Sequence, residues 1–382
     1  MRLASGLFFL IGGAAASAQP CLPVQEYDEI LAVVTENFFD QTFNGLDWET
    51  QVATHRREVD CEDGPEQLAS VVNSLLEKLD ASHTALYTKS EQHYWGLNSF
   101  FWRSGAYSRG DLGDAYQLHY SGIWAEFIDG TWFAQFVLDD SSAENAGVLP
   151  GDELIAINGS DFHPLGFSAG NNVLTVSSDG VSTRDVRLST AFQSIALGLE
   201  NASQASSRIL TADGRRVGYF HVWAGGAAIR EIMERALGDF ESAEVDALIM
   251  DLRGGYGGMG EDYLDKLRES ARLRAIPKYF LIDDSLRSGK ELLAGAIKRD
   301  GIGTLVGATT AGQFLGGRRF SVAEDNYFLY VAIGNGRPPP SIPGIGQIEG
   351  NGISADIDVA RCRMYCAGSD PIFEKALDLI AN

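Results

Sequence analysis

Apolar residues follow three different rhythms along the chain. Tyr27, Ile30, Leu31, Val34 and Phe38 recur at three- and four-residue spacing, and Leu68, Val71, Val72, Leu75, Leu76 and Leu79 repeat the pattern, so the N-terminal block is predicted helical. From about 116 to 188 the apolar runs shorten and are bounded by Gly, Asn and Asp; 132–138, 153–157, 173–176 and 182–188 read as strands of a small β-rich unit. After Arg216 the period changes again. Runs at 217–222, 247–250 and 279–282 predict strands, with helical spacing over 229–240 and 262–273 between them. Strand, helix, strand, helix, strand implies parallel pairing with crossover helices, hence an α/β class for this block. The expected divisions are 1–18, 19–110, 111–190 and 191–382.

With 382 residues, 45% hydrophobic and 21% charged, the chain is globular and long enough for two or three cores. Thirty Lys and Arg against 52 Asp and Glu leave a net charge of −22, which argues against nucleic acid and against anionic lipid. It also predicts that basic or neutral substrate ends approach more easily than acidic ones. No apolar run reaches the roughly 18 residues of a membrane span.

The first segment reads as an address. Arg2 supplies a positive charge, Leu7 to Ile11 a short apolar stretch, and Ala16-Ser17-Ala18 a small-residue cleavage site, so export to the periplasm or the exterior is expected, with the mature chain starting at Gln19. The alternative, a core helix, is weakened by Gly6, Gly12 and Gly13. Export makes the four cysteines readable as disulfides. Three pairings exist, of which proximity favours Cys21–Cys61 and Cys362–Cys366. A zinc site would want paired C-x2-C spacing, which is missing, so neither metal nor cofactor is expected.

In parallel sheets, ligands sit beyond the carboxyl ends of the strands. One predicted strand runs into Asp251-Leu252-Arg253-Gly254-Gly255-Tyr256-Gly257-Gly258, whose glycines let backbone N–H groups approach a ligand. The next leads to Ser288-Gly289-Lys290-Glu291 and an apolar helical run, which places Ser288 at a helix N-terminus. Free N–H groups and the positive end of the helix dipole there suit an acyl-transfer nucleophile and its oxyanion. Ser288-x-x-Glu291 is equally a capping box, which needs no chemistry to explain it. The glycine turn lacks the Gly-Lys-(Ser/Thr) ending of a phosphate loop. Gly166-Phe167-Ser168-Ala169-Gly170 matches a nucleophile elbow in form, yet a strand-like run follows it where that motif requires a helix.

These motifs stand in the order found in the C-terminal processing, or tail-specific, serine peptidases, and the sequence resembles that family over nearly its whole mature length. Phe38-Phe39-Asp40 and Ser82-His83-Thr84 come first, then Ala146 to Gly159, which resembles a PDZ domain. Asp251-Leu252-Arg253-Gly254, Ser288-x-x-Glu291, Val306-Gly307-x-x-Thr310-x-Gly312, Glu349-Gly350-x-Gly352 and Asp370-Pro371 follow. The resemblance implies a helical N-terminal region, a PDZ-like β-rich domain and a ClpP/crotonase-like peptidase core.

The family uses two catalytic styles. In one, a Lys after the Thr-x-Gly turn is the general base, but Gln313 stands there and an amide cannot accept a proton. The tricorn-core style uses a tetrad, and by resemblance Ser288 is the nucleophile, His83 the base, Ser82 the group orienting the imidazole and Glu349 the carboxylate polarising Ser82. Lys290 is a rival base whose side chain is expected to point away from Ser288. The oxyanion donors are expected at Gly289 and among Gly254, Gly255 and Gly257, with Gly254 preferred by family position. Ser121-Gly122-Ile123-Trp124 is the expected peptide-binding loop. His93-Tyr94-Trp95 and Phe100-Phe101-Trp102 read as core, with a lid over the cleft as the alternative. The implied partners are peptide or protein substrates with flexible C-terminal ends. Two other readings stay open: a non-catalytic peptide-binding protein on a peptidase scaffold, and an esterase acting through Ser168.

Overall fold

A computed structural model describes residues 20–103, 116–334 and 341–382; the expected address segment, 1–18, lies outside them. The first helix, Leu22–Asn37, starts with Pro23 in its first turn, where a missing N–H costs nothing, and buries Tyr27, Ile30, Leu31 and Val34. Pro65–Leu76 repeats the arrangement and runs through a 3-10 turn, Glu77–Leu79, to Asp80, whose positive φ of 46° ends it. The Cys21–Cys61 disulfide, with Cα atoms 5.6 Å apart, ties the start of the first helix to the segment before Pro65–Leu76. Cys362–Cys366 is also bonded, so both expected pairings form.

The N-terminal block holds more than helices. Ala85–Thr88 is a strand that pairs antiparallel with Tyr327–Ala332, which pairs in turn with Gly317–Phe320. The helices pack on this small sheet, with Leu75, Leu76, Leu86, Tyr327 and Leu329 sharing one core. A further helix, Gln92–Arg103, carries the aromatic lead-in, and Tyr94 and Leu97 enter the central core. The Trp102 side chain lies outside the described residues.

The β-rich unit is a seven-stranded sheet. The expected strands are present as Thr131–Val137, Glu153–Ile157, Gly170–Ser177 and Arg184–Gln193. Ile123–Ile128 lies at one end of the hydrogen-bonded path and Leu118–Tyr120 at the other. Val148, Leu154, Ile157, Leu174 and Val186 fill its interior.

The main sheet has six strands in the order Ile357–Asp358, Thr304–Gly307, Lys278–Ile282, Ala247–Asp251, Arg215–His221 and Arg208–Ala212. All neighbours are parallel except the last pair. Alternation along the strands divides the packing. Phe220, Leu248, Met250, Phe280 and Leu305 meet the helices on one face, while Val217, Ile249, Leu281 and Val306 meet Ile372, Ala376 and Ile380 of the C-terminal helix on the other. The expected helix over 262–273 is instead broken into Glu261–Leu264, Asp265–Glu269 and Ala271–Ala275. Ser270 adopts extended angles and its Oγ caps the next turn by accepting from Leu273 N at 3.1 Å, a local competition that serine often wins.

Candidate active site

Ser288 follows the strand Lys278–Ile282 and caps the helix Gly289–Asp300 with φ 59° and ψ −131°. A non-glycine residue in that region carries strain of about 1–3 kcal/mol, sustained only where surroundings enforce it. Here its N–H donates to Gln313 O at 2.8 Å and reaches Glu291 Oε2 at 3.3 Å. Glu291 is buried and also accepts from Thr310 Oγ1 at 2.6 Å and Gly312 N at 2.7 Å. Burial raises its carboxyl pKa and these donors oppose the rise. The glutamate of the capping motif therefore locks the turn after Thr304–Gly307 against the start of the helix.

Ser82 and His83 stand just before the strand Ala85–Thr88, which pairs with Tyr327–Ala332 in the small sheet, and both line the cavity that Ser288 also lines. Ser82 Oγ is 3.0 Å from Glu349 Oε2 and 2.9 Å from His83 Nδ1, and Ser82 N donates to Glu349 Oε1 at 2.9 Å. Phe314 N and Leu315 N also donate to Glu349 Oε2, at 2.6 and 2.9 Å. His83 itself has φ 58° and lies 5.2 Å, ring to ring, from Tyr330. Burial first, and the charge of Arg287 second, push its pKa well below the ordinary histidine value. His83 and Ser288 line one cavity of about 380 Å³ with Gly257, Gln313 and Tyr330. Among the described residues no hydrogen bond joins His83 to Ser288 directly.

The glycine turn corrects one expectation. The Gly254 N–H donates to Ser285 Oγ at 2.8 Å and is thereby occupied. Gly255 packs against Trp223, where a Cβ would fall 1.7 Å from the Trp223 carbonyl oxygen. Gly257 is the glycine that faces the nucleophile, since a Cβ there would lie 2.8 Å from both Gly289 N and Ser288 Cβ. Gly257 and Gly289 thus bring their backbones together beside Ser288.

Lys290 is buried and turns away from Ser288. Its Nζ donates to Gly254 O at 2.6 Å and to Trp223 O at 3.3 Å, with Arg253 O at 3.5 Å, so the ammonium pins the glycine turn from behind. Burial pushes its pKa down to about 7, against the pull of Asp251 and Asp283. Arg253 is structural as well, bridging Asp251 and Asp370, the cap of the C-terminal helix. Neither Lys290 nor Arg287 occupies a defined motif position, so the sequence marks Lys290 only as a rival base and gives Arg287 no role.

The expected peptide-binding loop does not form one site. Ser121 is buried, with its carbonyl accepting from Ala143 N, and it lines a separate cavity of about 360 Å³ with Gly122 and Asn201. Ile123 belongs to the β-unit core, and Trp124 alone lines the large cavity, of about 520 Å³, between the β-rich unit and the main sheet. Ser168 binds Asn172 through both N and Oγ, and the strand Gly170–Ser177 follows it, which is not an elbow. Among the described residues no group of three or more His, Cys, Asp or Glu is placed to hold a metal ion.

Residues 260–359 match peptidase family S41. The chain is 24% identical over 375 residues to carboxyl-terminal-processing peptidase 3, chloroplastic, of Arabidopsis thaliana, covering 86% of this chain and 67% of that protein. It is 27% identical over 233 residues to carboxy-terminal processing protease CtpB of Bacillus subtilis (strain 168), covering 52% of this chain and about half, 48%, of that protein. Its fold is similar to that of the photosystem II D1 C-terminal processing protease, with a TM-score of 0.54 at 17% identity over 89% of this chain and 94% of that one. The resemblance to the C-terminal processing peptidases drawn from the motifs is borne out, as is the mixed α/β fold.

Proposed function

We propose that this chain, an S41-type peptidase, is an exported serine endopeptidase that cleaves peptides or proteins near unstructured C-terminal ends. Its chemistry is acyl transfer through Ser288. The observation that carries the reading is the continuous hydrogen-bonded line Glu349–Ser82–His83 opening onto the cavity that Ser288 shares.

The proton inventory supports the direction of transfer. Ser82 Oγ has one hydrogen, which the carboxylate of Glu349 accepts; its lone pair then receives the His83 Nδ1 hydrogen. That leaves His83 Nε2 bare, as a base requires. The Ser288 hydroxyl adds to the scissile carbonyl carbon as its proton passes to Nε2. The carbonyl π electrons move to oxygen, where the N–H groups of Gly257 and Gly289 face the charge. Collapse expels the amine, which takes the proton from His83, and water then hydrolyses the ester by the same path. The β-rich unit acts as a PDZ-like domain that presents an extended chain end along the large cavity.

The test pairs a fluorophosphonate probe with an unstructured protein substrate. Wild type should label at Ser288 and cleave, and Ser288→Ala should do neither. Labelling or cleavage retained in Ser288→Ala would refute the assignment; a wild type inert to both would point to a peptide-binding scaffold.

A further inference from the structure

Arg287 immediately precedes the nucleophile and lines both the Ser288 cavity and the larger cavity beside the β-rich unit. Its guanidinium has neither a hydrogen bond nor an ion pair among the described residues. Its one contact of note is with the ring of Tyr256, 5.9 Å from the guanidinium carbon. Tyr256 is buried and its hydroxyl also lacks a partner among the described residues.

The carboxylates around the larger cavity are committed elsewhere. Glu91 accepts from Thr88 N at 2.7 Å, Glu126 pairs with Arg361 and Arg363, and Asp284 pairs with the same two arginines at 3.2 and 3.6 Å. What sets this guanidinium apart is its place: it lines the cavity beside the nucleophile, in a chain of net charge −22, with no anion against it among the described residues, so it is free to take one from a ligand. A planar fork of donors matches a carboxylate in two parallel hydrogen bonds.

We infer that Arg287 binds a carboxylate of the substrate chain next to the scissile bond, and so selects substrates that carry one there. The carboxylate is either the free chain terminus or an Asp or Glu side chain. This rests on the peptidase reading above. Arg287 has a second consequence: its charge is one of the causes that weaken His83 as a base, and a seated carboxylate would offset that charge when substrate is present.

The experiment measures kcat/KM for one unstructured fluorogenic peptide in four versions, with a free or amidated C-terminus and with Glu or Gln at its internal acidic positions. Wild type should prefer the acid by about tenfold or more in one of the two exchanges, a difference of about 1.4 kcal/mol. Preference at the terminus identifies the chain end as the ligand, and preference at Glu identifies a side chain. In Arg287→Gln the ratio should fall to near one, and in Arg287→Lys it should fall only part of the way, which serves should the Gln variant not fold. A ratio near one in wild type, or an unchanged ratio in Arg287→Gln, overturns the inference. Fluorophosphonate labelling separates the two failures. A wild type that labels and cleaves without discrimination sinks this inference alone, whereas one that neither labels nor cleaves sinks the peptidase reading and this one with it.

Discussion

Ser82 and Glu349 are joined twice, Oγ to Oε2 at 3.0 Å and backbone N–H to Oε1 at 2.9 Å, so the carboxylate is held in place by the Ser82 main chain as well as by its hydroxyl. The carboxylate is anchored on its other side by the N–H groups of Phe314 and Leu315. In the proposed mechanism Glu349 sets the orientation of the Ser82 hydroxyl, and through it the tautomer of His83.

Removing either link should cost turnover more than affinity. His83→Ala should lower kcat by roughly 10²–10⁴-fold, the usual worth of a positioned base. Ser82→Ala and Glu349→Gln should fall within or below that range with KM nearly unchanged, by steady-state kinetics. Full kcat in Ser82→Ala would mean that the imidazole is oriented by something else.

The pH profile should reflect a depressed histidine. Because burial and Arg287 hold the folded pKa of His83 below its ordinary value, the imidazole stays neutral, and able to accept a proton, as pH falls through 6.5. The acid limb of kcat/KM, which reports the free enzyme, should lie below that value. An inflection at or above 6.5 contradicts the prediction.

Gly257→Ala tests the oxyanion assignment. The added methyl would stand 2.8 Å from Gly289 N and from Ser288 Cβ, where backbone has to shift. The expected loss is roughly 10²–10³-fold in kcat, as for deletion of one oxyanion donor. Comparable activity in the variant, with folding verified by circular dichroism, would move the oxyanion elsewhere.

Lys290→Met should loosen the glycine turn and change the pH dependence of stability. The wild-type lysine has a folded pKa near 7 and an unfolded one near 10.5. Between those values the unfolded chain holds the proton that the folded chain has released, so this group makes unfolding free energy rise with pH, by at most about 1.4 kcal/mol per pH unit. Below pH 7 both states are charged and the burial cost is complete. Urea denaturation at several pH values should show wild type gaining on Lys290→Met from pH 7 towards 10. Parallel curves would show that the ammonium is not buried in solution.

The acidic composition predicts basic or neutral substrate ends, and Arg287 reverses that expectation locally. Net charge describes the long-range field, whereas a guanidinium beside the nucleophile acts at contact distance, where screening is weakest.

Much of this protein is set by neighbours in sequence. The spacing of Tyr27, Ile30, Leu31 and Val34 makes a helix, the runs ending at Asp251 and Ile282 make parallel strands, and Ser288 falls at a helix start because an apolar helical run follows it. Both disulfides join the cysteine pairs nearest in sequence. Other features depend on packing. Ala85–Thr88 is too short to announce itself, yet its pairing with Tyr327–Ala332 carries Ser82 and His83 to the candidate site. Which glycine faces Ser288 depends on Ser285 taking the Gly254 N–H and on Trp223 abutting Gly255. Lys290 pins the turn, and the Arg287 guanidinium has no partner among the described residues, only because of what surrounds them. Periodicity records which face of an element is apolar; the partner that meets that face, and the polar atoms left over when it does, are decided by the register of segments far apart in the chain.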